Sequence, residues 1–307
     1  MTPLGKTVRL FLVDGDPSGI IVAEVMNWSG HALLAPRSKL PEVLQRGESQ
    51  RTGVYILLGD ISELGGRRPV YVGESDNVGK RIGQHAKEDL KDFERFCIFT
   101  SKDFNLTKGH ARFLENRISG LARESGRAEV SNLNEPSFGS LPESDVADME
   151  LFLTQIRIIL PVLGYDVLKA PFTQRPDKSN LSTLQSESNS EEFVNLELRD
   201  SREGLVAKAV ESKGEIVVLK GALALKDPQY AMNQYANLRE TLISDGSLID
   251  GASEKYLEFS RDVPFSSPAA AAAVIYGRNA NGRTSWLIAG SKKSLKDFQI
   301  EKAEAVL

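Results

Sequence analysis

Two short apolar segments in the first half of the chain each carry a single tyrosine. Gly53–Leu58 and residues 69–73 are almost wholly apolar, and polar residues with Gly65 and Gly66 separate them. Runs of this length that are bounded by turn residues predict buried β-strands joined by a loop. A third run, residues 95–100, predicts another strand that is buried at its centre.

Helical periodicity follows these strands, because apolar residues recur there every three to four positions. The pattern predicts one helix over residues 77–86 and a longer one that begins after a Thr107 cap and runs through Leu121. A third predicted helix covers residues 144–168, and Pro161 is expected to kink or end it.

Changes in composition divide the chain into four parts. Residues 1–50 predict a β-hairpin followed by a short helix, which we expect to form a small separate unit. Residues 51–171 contain the strands and helices described above. Residues 172–192 are polar and rich in serine, and predict a flexible linker. Residues 193–307 return to a globular composition and predict a separate small α+β domain.

The C-terminal part shows its own pattern of elements. Strands are predicted over residues 194–198 and 214–219, because apolar residues alternate or cluster there. Residues 235–244 predict a helix, and so does the alanine-rich segment 267–276, which carries Pro268 in its first turn.

Composition and charge narrow the classes of protein. The chain has 307 residues, of which 41% are hydrophobic and 26% charged, as in ordinary globular proteins. No apolar run approaches the roughly 20 residues that span a membrane, so no membrane partner is expected. Residues 1–10 lack the pattern of a signal peptide. Cys97 is the only cysteine, so an intrachain disulfide is excluded and a reducing cytoplasm is the expected location.

The net charge of −4 argues against a protein that coats nucleic acid through a basic surface. It leaves open an enzyme that binds a few phosphates locally, because binding depends on where the charges lie.

Several residues in the middle of the chain are candidates for chemistry, although each has a simpler structural explanation. Tyr55 and Tyr71 fit half-buried aromatic residues of a sheet. Arg81 and His85 are four positions apart and share a helix face, where a guanidinium can bind phosphate and an imidazole can move a proton. Lys80 is a further candidate for contact with substrate.

Glu115 lies in the middle of the second long helix, among apolar residues. A carboxylate in that position is either exposed and paired with a nearby arginine or held for a metal ion. His110 is five positions earlier, which rotates it away from Glu115 on a helix, so we do not assign it to a metal. The sequence contains no phosphate-binding glycine-rich loop, cysteine-based zinc motif or nucleophile elbow.

The order of these residues resembles the GIY-YIG nuclease superfamily over about residues 51–135. The first strand motif is Gly53-Val54-Tyr55, and the second is Tyr71-Val72-Gly73, with valine at the central isoleucine of each. The helix that carries Arg81 and His85, and then the helix that carries Glu115, follow in the same order as in that family.

The resemblance implies a small antiparallel sheet flanked by helices, within an α+β chain. It implies one catalytic site made of five residues: Tyr55, Tyr71, Arg81, His85 and Glu115. Glu115 is expected to hold a single Mg²⁺ or Mn²⁺. An asparagine that completes the family's site corresponds to either Asn132 or Asn134.

The implied activity is the metal-dependent hydrolysis of phosphodiester bonds in DNA, with RNA left open, in repair, restriction or defence. Tyr55 is the expected general base, Tyr71 or His85 would relay its proton, and Arg81 would stabilise charge on the phosphate. The free phenol has a pKa of about 10, so the metal or Arg81 would have to lower it. The alternative is a catalytically inactive module that binds nucleic acid or regulates a partner.

The C-terminal part resembles a domain of unknown function that often follows nucleases of this type. The resemblance rests on Phe265-Ser266-Ser267-Pro268, the alanines after it, and the segment from Gly277 to Gly282 with Trp286 beyond it. Residues 278–283 and Trp286 are candidates for contact with nucleic acid. The favoured interpretation is that Trp286 lies in the core and that the asparagines and glycines form a turn. Residues 193–307 are also where a protein partner would bind.

Overall fold

The computed structural model describes residues 5–60, 67–88, 92–131, 141–169, 193–212, 215–227 and 235–304. Two compact units are present. The N-terminal unit comprises the described residues up to 169, and the C-terminal unit comprises those from 193 onwards. The predicted linker, residues 172–192, lies outside the described residues.

The N-terminal unit alternates strands with helices, and its elements are β1 (Val8–Leu12), β2 (Ile21–Val25), β3 (Gly30–Pro36), α1 (Leu40–Leu44), β4 (Gly53–Leu58), β5 (Arg68–Ser75), α2 (Val78–Glu88), β6 (Arg95–Ser101), α3 (Lys108–Ser125), β7 (Ala128–Val130) and α4 (Glu143–Val162). Two short 3₁₀ segments, Arg37–Lys39 and Gly47–Gln50, flank α1.

The strands form one seven-stranded sheet in the order β1-β2-β3-β6-β4-β5-β7. All neighbours are antiparallel except β5 and β7, which are parallel. Alternate residues of the central strands pack against α3 and α4 on one face and against α1 and α2 on the other. The sheet is therefore larger than the predicted small antiparallel sheet and is mixed at one edge.

Residues 1–50 do not form the separate unit that the sequence analysis predicts. Strand β3 pairs with β6 along its whole length, from Gly30 opposite Ser101 to Pro36 opposite Arg95. Its residues from Gly30 to Ala35 are all buried, because an interior strand is covered on both faces. The strand therefore joins β1 and β2 to the central sheet.

The predicted caps and strand bounds of the central region are largely confirmed. Strand β4 has the predicted bounds, and the Thr107 hydroxyl accepts a hydrogen bond from the His110 amide at the start of α3. Helix α4 ends at Val162, with Pro161 in its last turn and Gly164 at φ +89° beyond it. Cys97, on β6, is fully buried between Leu34 of β3 and Ile56 of β4.

The C-terminal unit has more strands than the sequence predicts, and its elements are β8 (Val194–Asp200), β9 (Leu205–Ser212), β10 (Glu215–Val218), β11 (Leu223–Leu225), α5 (Ala236–Ser244), β12 (Leu248–Asp250), β13 (Tyr256–Phe259), β14 (Val263–Phe265), α6 (Pro268–Tyr276), α7 (Gly282–Ser285), β15 (Leu287–Ile288) and α8 (Leu295–Glu304).

These strands form a five-stranded sheet, β14-β10-β9-β8-β15, and a three-stranded sheet, β11-β13-β12. The buried helix α6 begins as predicted, with the Ser267 side chain as its cap and Pro268 in the first turn. Both units combine helices with mainly antiparallel strands, so the predicted α+β class is confirmed. Within the described ranges, no helix has both the length and the apolar character needed to cross a bilayer.

Candidate functional site

The pairing of β4 with β5 places the two tyrosines on one face of the sheet. Tyr55 lies directly opposite Gly73, and Tyr71 is two positions from Gly73 on the same strand, so both phenols point to the side covered by α2. The centroids of the two rings are 6.3 Å apart. The prediction that these strands bring two phenols together is confirmed.

Gly73 gives the Tyr55 phenol the space that it occupies. An ideal Cβ built at Gly73 would overlap both the hydroxyl oxygen and the Cζ of Tyr55. A side chain at this position would therefore displace the phenol, so glycine is required here by close approach. The glycine of the second motif and the tyrosine of the first thus form one structural feature.

Helix α2 brings His85 against the phenols. Ile82 and Val78, one and two turns before His85, are fully buried against the sheet, and His85 follows on the same face. A hydrogen bond of 2.9 Å joins His85 Nε2 to the Tyr55 hydroxyl, and only 4% and 1% of the two residues is exposed. The His85 ring centroid is 5.2 Å from that of Tyr71.

Arg81 lies one turn before His85 and is exposed, with its Nη1 donating to Gln84 Oε1 at 3.1 Å. The charge of Arg81 and its hydrogen bonds to the phenols lower the pKa values of Tyr55 and Tyr71. Burial acts in the opposite direction and is stronger, so both pKa values are raised above the ordinary value of a phenol. Of the two groups expected to lower the Tyr55 pKa, Arg81 does so but is outweighed by burial.

Glu115 lies in the middle of α3 and is half-buried. Burial and then the charge of Glu74 raise the pKa of Glu115 to about 7, whereas Arg112, Arg81 and a hydrogen bond from the Glu74 amide oppose the rise. The charge of Glu115 in turn raises the pKa of both tyrosines. The five predicted residues thus form one group: Tyr55, Tyr71 and His85 are in contact, and Arg81 and Glu115 interact with the phenols electrostatically.

Glu74 is a member of this group that the sequence analysis did not identify. It follows Gly73 on β5, and 15% of its side chain is exposed. Its Oε1 lies 3.4 Å from Nε of Arg112, and its Oε2 is buried with no hydrogen-bond partner among the described residues. The signal in the sequence was an acidic residue directly after the second tyrosine motif, where it resembled an ordinary loop residue.

The other residues considered in the sequence analysis are Lys80, the two asparagines and His110. The exposed side chain of Lys80 lies beside Arg81 on α2, and its backbone amide donates to Asn77 Oδ1 at 2.9 Å. Asn132 and Asn134 lie outside the described residues. His110 caps α3 and its Nε2 lies 3.1 Å from Asp145 Oδ2, so it joins α3 to α4 as a structural residue.

The carboxylates fit a hard divalent cation. No group of three or more histidine, cysteine, aspartate or glutamate side chains in the described ranges is arranged to hold a metal ion. Mg²⁺ nevertheless commonly binds through one or two carboxylates, with water and substrate phosphate completing its six ligands. Glu115, together with the buried and unbonded Oε2 of Glu74, matches that smaller requirement.

In the C-terminal unit, Trp286 is a core residue, as the favoured interpretation predicts. It is 0% exposed, and its Nε1 donates to the Pro268 carbonyl at 3.1 Å. Stacking of a nucleic-acid base on this side chain is therefore excluded. Arg283 Nε donates to Gln299 Oε1 at 2.9 Å, and the Arg278 guanidinium lies over the Tyr276 ring at 4.9 Å.

Similarity to a known family is found in the C-terminal unit. No curated protein and no solved structure matches the chain. Residues 198–299 match the family model described as domain of unknown function (DUF4357), which confirms the predicted C-terminal resemblance. The match covers about a third of the chain, and residues 51–135 lie outside it.

Proposed function

We propose that the N-terminal unit is a divalent-metal-dependent endonuclease that hydrolyses phosphodiester bonds, with DNA as its substrate. The observation that carries the proposal is the convergence of two phenols, an imidazole, an exposed guanidinium and a carboxylate of raised pKa on four elements, β4, β5, α2 and α3. Groups with such perturbed pKa values cluster at catalytic sites. The GIY-YIG resemblance supports the same chemistry.

The hydrogen bond from Tyr55 to His85 supports a proton relay. Burial keeps the Tyr55 phenol protonated at neutral pH. The phenol can therefore accept a proton from water only while it passes its own proton to His85. Water attacks phosphorus and gives its proton to the Tyr55 oxygen, while the phenolic proton passes to Nε2 of a neutral His85. The bond from phosphorus to the leaving oxygen breaks, and that oxygen takes a proton from solvent.

Arg81 and Tyr71 act on the phosphate. The exposed Arg81 guanidinium can bind a non-bridging phosphate oxygen and stabilise the charge that develops in the transition state. Tyr71, whose ring lies beside both Tyr55 and His85, can donate a hydrogen bond to the same group. Glu115 would hold the cation, which when bound would supply Lewis-acid stabilisation of the phosphate and of the leaving oxygen.

A plasmid-nicking assay tests the proposal. The wild-type protein is incubated with supercoiled DNA in Mg²⁺, Mn²⁺ or EDTA, beside Glu115→Ala and the matched control Glu124→Ala. Glu124 is exposed and lies nine positions further along α3, which is the opposite side of the helix. We expect metal-dependent nicking by the wild type and the control, and its loss in Glu115→Ala.

Two results would overturn the proposal. Equal nicking by Glu115→Ala would show that the activity does not depend on this site. Binding of DNA without cleavage by the wild type in either metal would instead support the alternative, a non-catalytic module that binds nucleic acid.

A further inference from the structure

We infer that Glu74 is a second carboxylate ligand of the divalent cation that Glu115 holds, so that the cation site joins strand β5 to helix α3. This inference rests on the proposed function, and it concerns which side chains hold the cation. Glu74 connects the two elements, because its Oε1 lies 3.4 Å from Nε of Arg112, which is one turn before Glu115 on α3. Burial and the charge of Glu74 raise the pKa of Glu115, which agrees with this placement.

The position of Glu74 directs its side chain towards α3. Val70 and Val72 precede it at alternate positions of β5, and both belong to the core that packs against α3. Glu74 is next in that series, so its carboxylate leaves the sheet on the α3 side. Glu115 is on α3, and its charge raises the pKa values of Tyr55 and Tyr71, which lie on the other face of the sheet.

The negative charges of Glu74 and Glu115 are only partly neutralised by neighbouring side chains. Arg112 meets one oxygen of Glu74, at 3.4 Å, and half of its own side chain is exposed. The other oxygen is buried and lacks a hydrogen-bond partner in the described structure. A buried acceptor without a partner and two like charges in proximity both oppose folding. A hard cation bound between the carboxylates would satisfy the oxygen and cancel the repulsion.

The competing explanation is that Glu74 only positions Arg112. Under that explanation, Glu74 would affect the cation through the guanidinium, and loss of Arg112 would have the same consequence as loss of Glu74. Under the inference, Arg112 competes with the cation for the Glu74 carboxylate, so its removal leaves cation binding unchanged or makes it stronger. The two explanations therefore differ in the sign of the effect of one substitution.

The experiment measures Mn²⁺ binding to the full chain without DNA, by electron paramagnetic resonance of free Mn²⁺ and by calorimetry. The proteins are wild type, Glu74→Gln, Glu115→Gln, Arg112→Gln and the control Glu124→Gln. We expect Glu74→Gln and Glu115→Gln each to weaken binding by about 10- to 100-fold or more, which is the range for side chains that merely support metal ligands. Glu124→Gln should bind like the wild type.

A second variant covers the case in which Glu74→Gln fails to fold, as judged by circular dichroism. Glu74→Asp keeps the charge but withdraws the oxygens by one methylene, and we expect it to bind Mn²⁺ more weakly than the wild type. Wild-type affinity in the folded Gln or Asp variant would overturn the inference. Weakening by Arg112→Gln to the level of Glu74→Gln would also overturn it, as would absence of Mn²⁺ binding by the wild type.

The Mn²⁺-binding experiment and the DNA-cleavage assay can succeed or fail independently. If Mn²⁺ binding depends on Glu74 but no nucleic acid is cleaved, the cation site stands and the proposed activity fails. If cleavage depends on metal and on Glu115, while Glu74→Gln binds Mn²⁺ normally, the activity stands and the inference about Glu74 fails.

Discussion

The two units bury polar side chains for different purposes. In the C-terminal unit, Arg239 is 5% exposed and donates to the main-chain carbonyls of Val274, at 2.6 Å, Lys226, at 3.1 Å, and Leu225. Trp286 likewise donates to a main-chain carbonyl. These side chains complete hydrogen bonds that the backbone needs, so folding alone explains them.

In the candidate site of the N-terminal unit, the polar side chains meet one another. The Tyr55 phenol bonds to an imidazole, and the Glu115 carboxylate lies near a second carboxylate, Glu74. Such an arrangement costs stability where it leaves like charges together, and it is therefore typical of a site maintained for function. The partner of a buried polar group is therefore more informative about function than its burial.

The largest expected effect is on the C-terminal core. Replacing the fully buried Trp286 by alanine removes its packing and its hydrogen bond, and should cost about 3–5 kcal/mol of the free energy of unfolding. Each unit contains one of the two tryptophans, so the fluorescence of Trp28 reports on the N-terminal unit in this variant. In urea, we expect the transition seen by circular dichroism to shift to lower concentration.

The Trp28 fluorescence transition should stay at the wild-type urea concentration in Trp286→Ala. A parallel shift of both signals would show that the two units unfold together. It would contradict the treatment of the two units as independent.

The second prediction concerns the phenol that bonds to His85. Tyr55→Phe removes the hydroxyl of the relay and should lower single-turnover cleavage by about 10²–10⁴-fold, the usual contribution of proton transfer. The free energy of unfolding should fall by about 1–3 kcal/mol at most, because His85 Nε2 loses its partner while the ring and its packing remain. The matched control is Tyr165→Phe, which removes another mostly buried phenol of the same unit and should preserve cleavage. Undiminished cleavage by Tyr55→Phe would contradict the relay.

The third prediction concerns the glycine opposite Tyr55. Gly73→Ala forces the phenol away from its position, and we expect a loss of cleavage together with a destabilisation of about 1–3 kcal/mol. The control is Gly120→Ala on α3, where an added Cβ meets nothing within 4 Å. That change should stabilise the helix by about 0.5–1 kcal/mol. Urea unfolding followed by circular dichroism and tryptophan fluorescence measures both changes. Equal effects of the two variants would contradict the role of Gly73.

The smallest effect is a stability gain from Glu115→Gln in EDTA. In the folded protein the pKa of Glu115 is raised to about 7 from 4.5, so the folded state binds the proton more tightly than the unfolded state. Ionisation of Glu115 therefore destabilises the fold increasingly as pH rises from about 4.5 to 7. After allowance for partial exposure, Glu115→Gln should gain about 1–2 kcal/mol at pH 8.

At pH 4 the same substitution should change stability little, because Glu115 is then neutral in both states. Thermal unfolding at the two pH values measures the difference. A gain of equal size at pH 4 and pH 8 would show that the pKa of Glu115 is not raised in the folded protein.

The sequence predicts elements well where the signal is local. The bounds of β4, the Thr107 cap of α3 and the Ser267 cap of α6 each depend on residues that are adjacent along the chain. Strand β3 was missed because its pairing with β6 joins residues 59 to 71 positions apart. Strand β7 has three residues, and only its parallel contact with β5 identifies it.

The candidate site shows the same limit. The order of Tyr55, Tyr71, His85 and Glu115 along the chain predicts that they belong together, and the sheet register brings the two phenols and the imidazole into contact. Glu74 could not be recognised from its neighbours, because its importance depends on how closely α3 approaches β5. The opposing effects of burial and Arg81 on the Tyr55 pKa are also set by tertiary structure.

The position of Cys97 has a practical consequence for spectroscopy. The thiol lies in the interior of the sheet, and burial raises its pKa well above the usual range, so little reactive thiolate forms. A cysteine placed on the surface would then be the only readily labelled thiol, without any change to the native one. Lys80→Cys, beside Arg81 on the exposed side of α2, would carry a fluorophore or spin label to the rim of the site. Such a probe could follow the arrival of nucleic acid in real time.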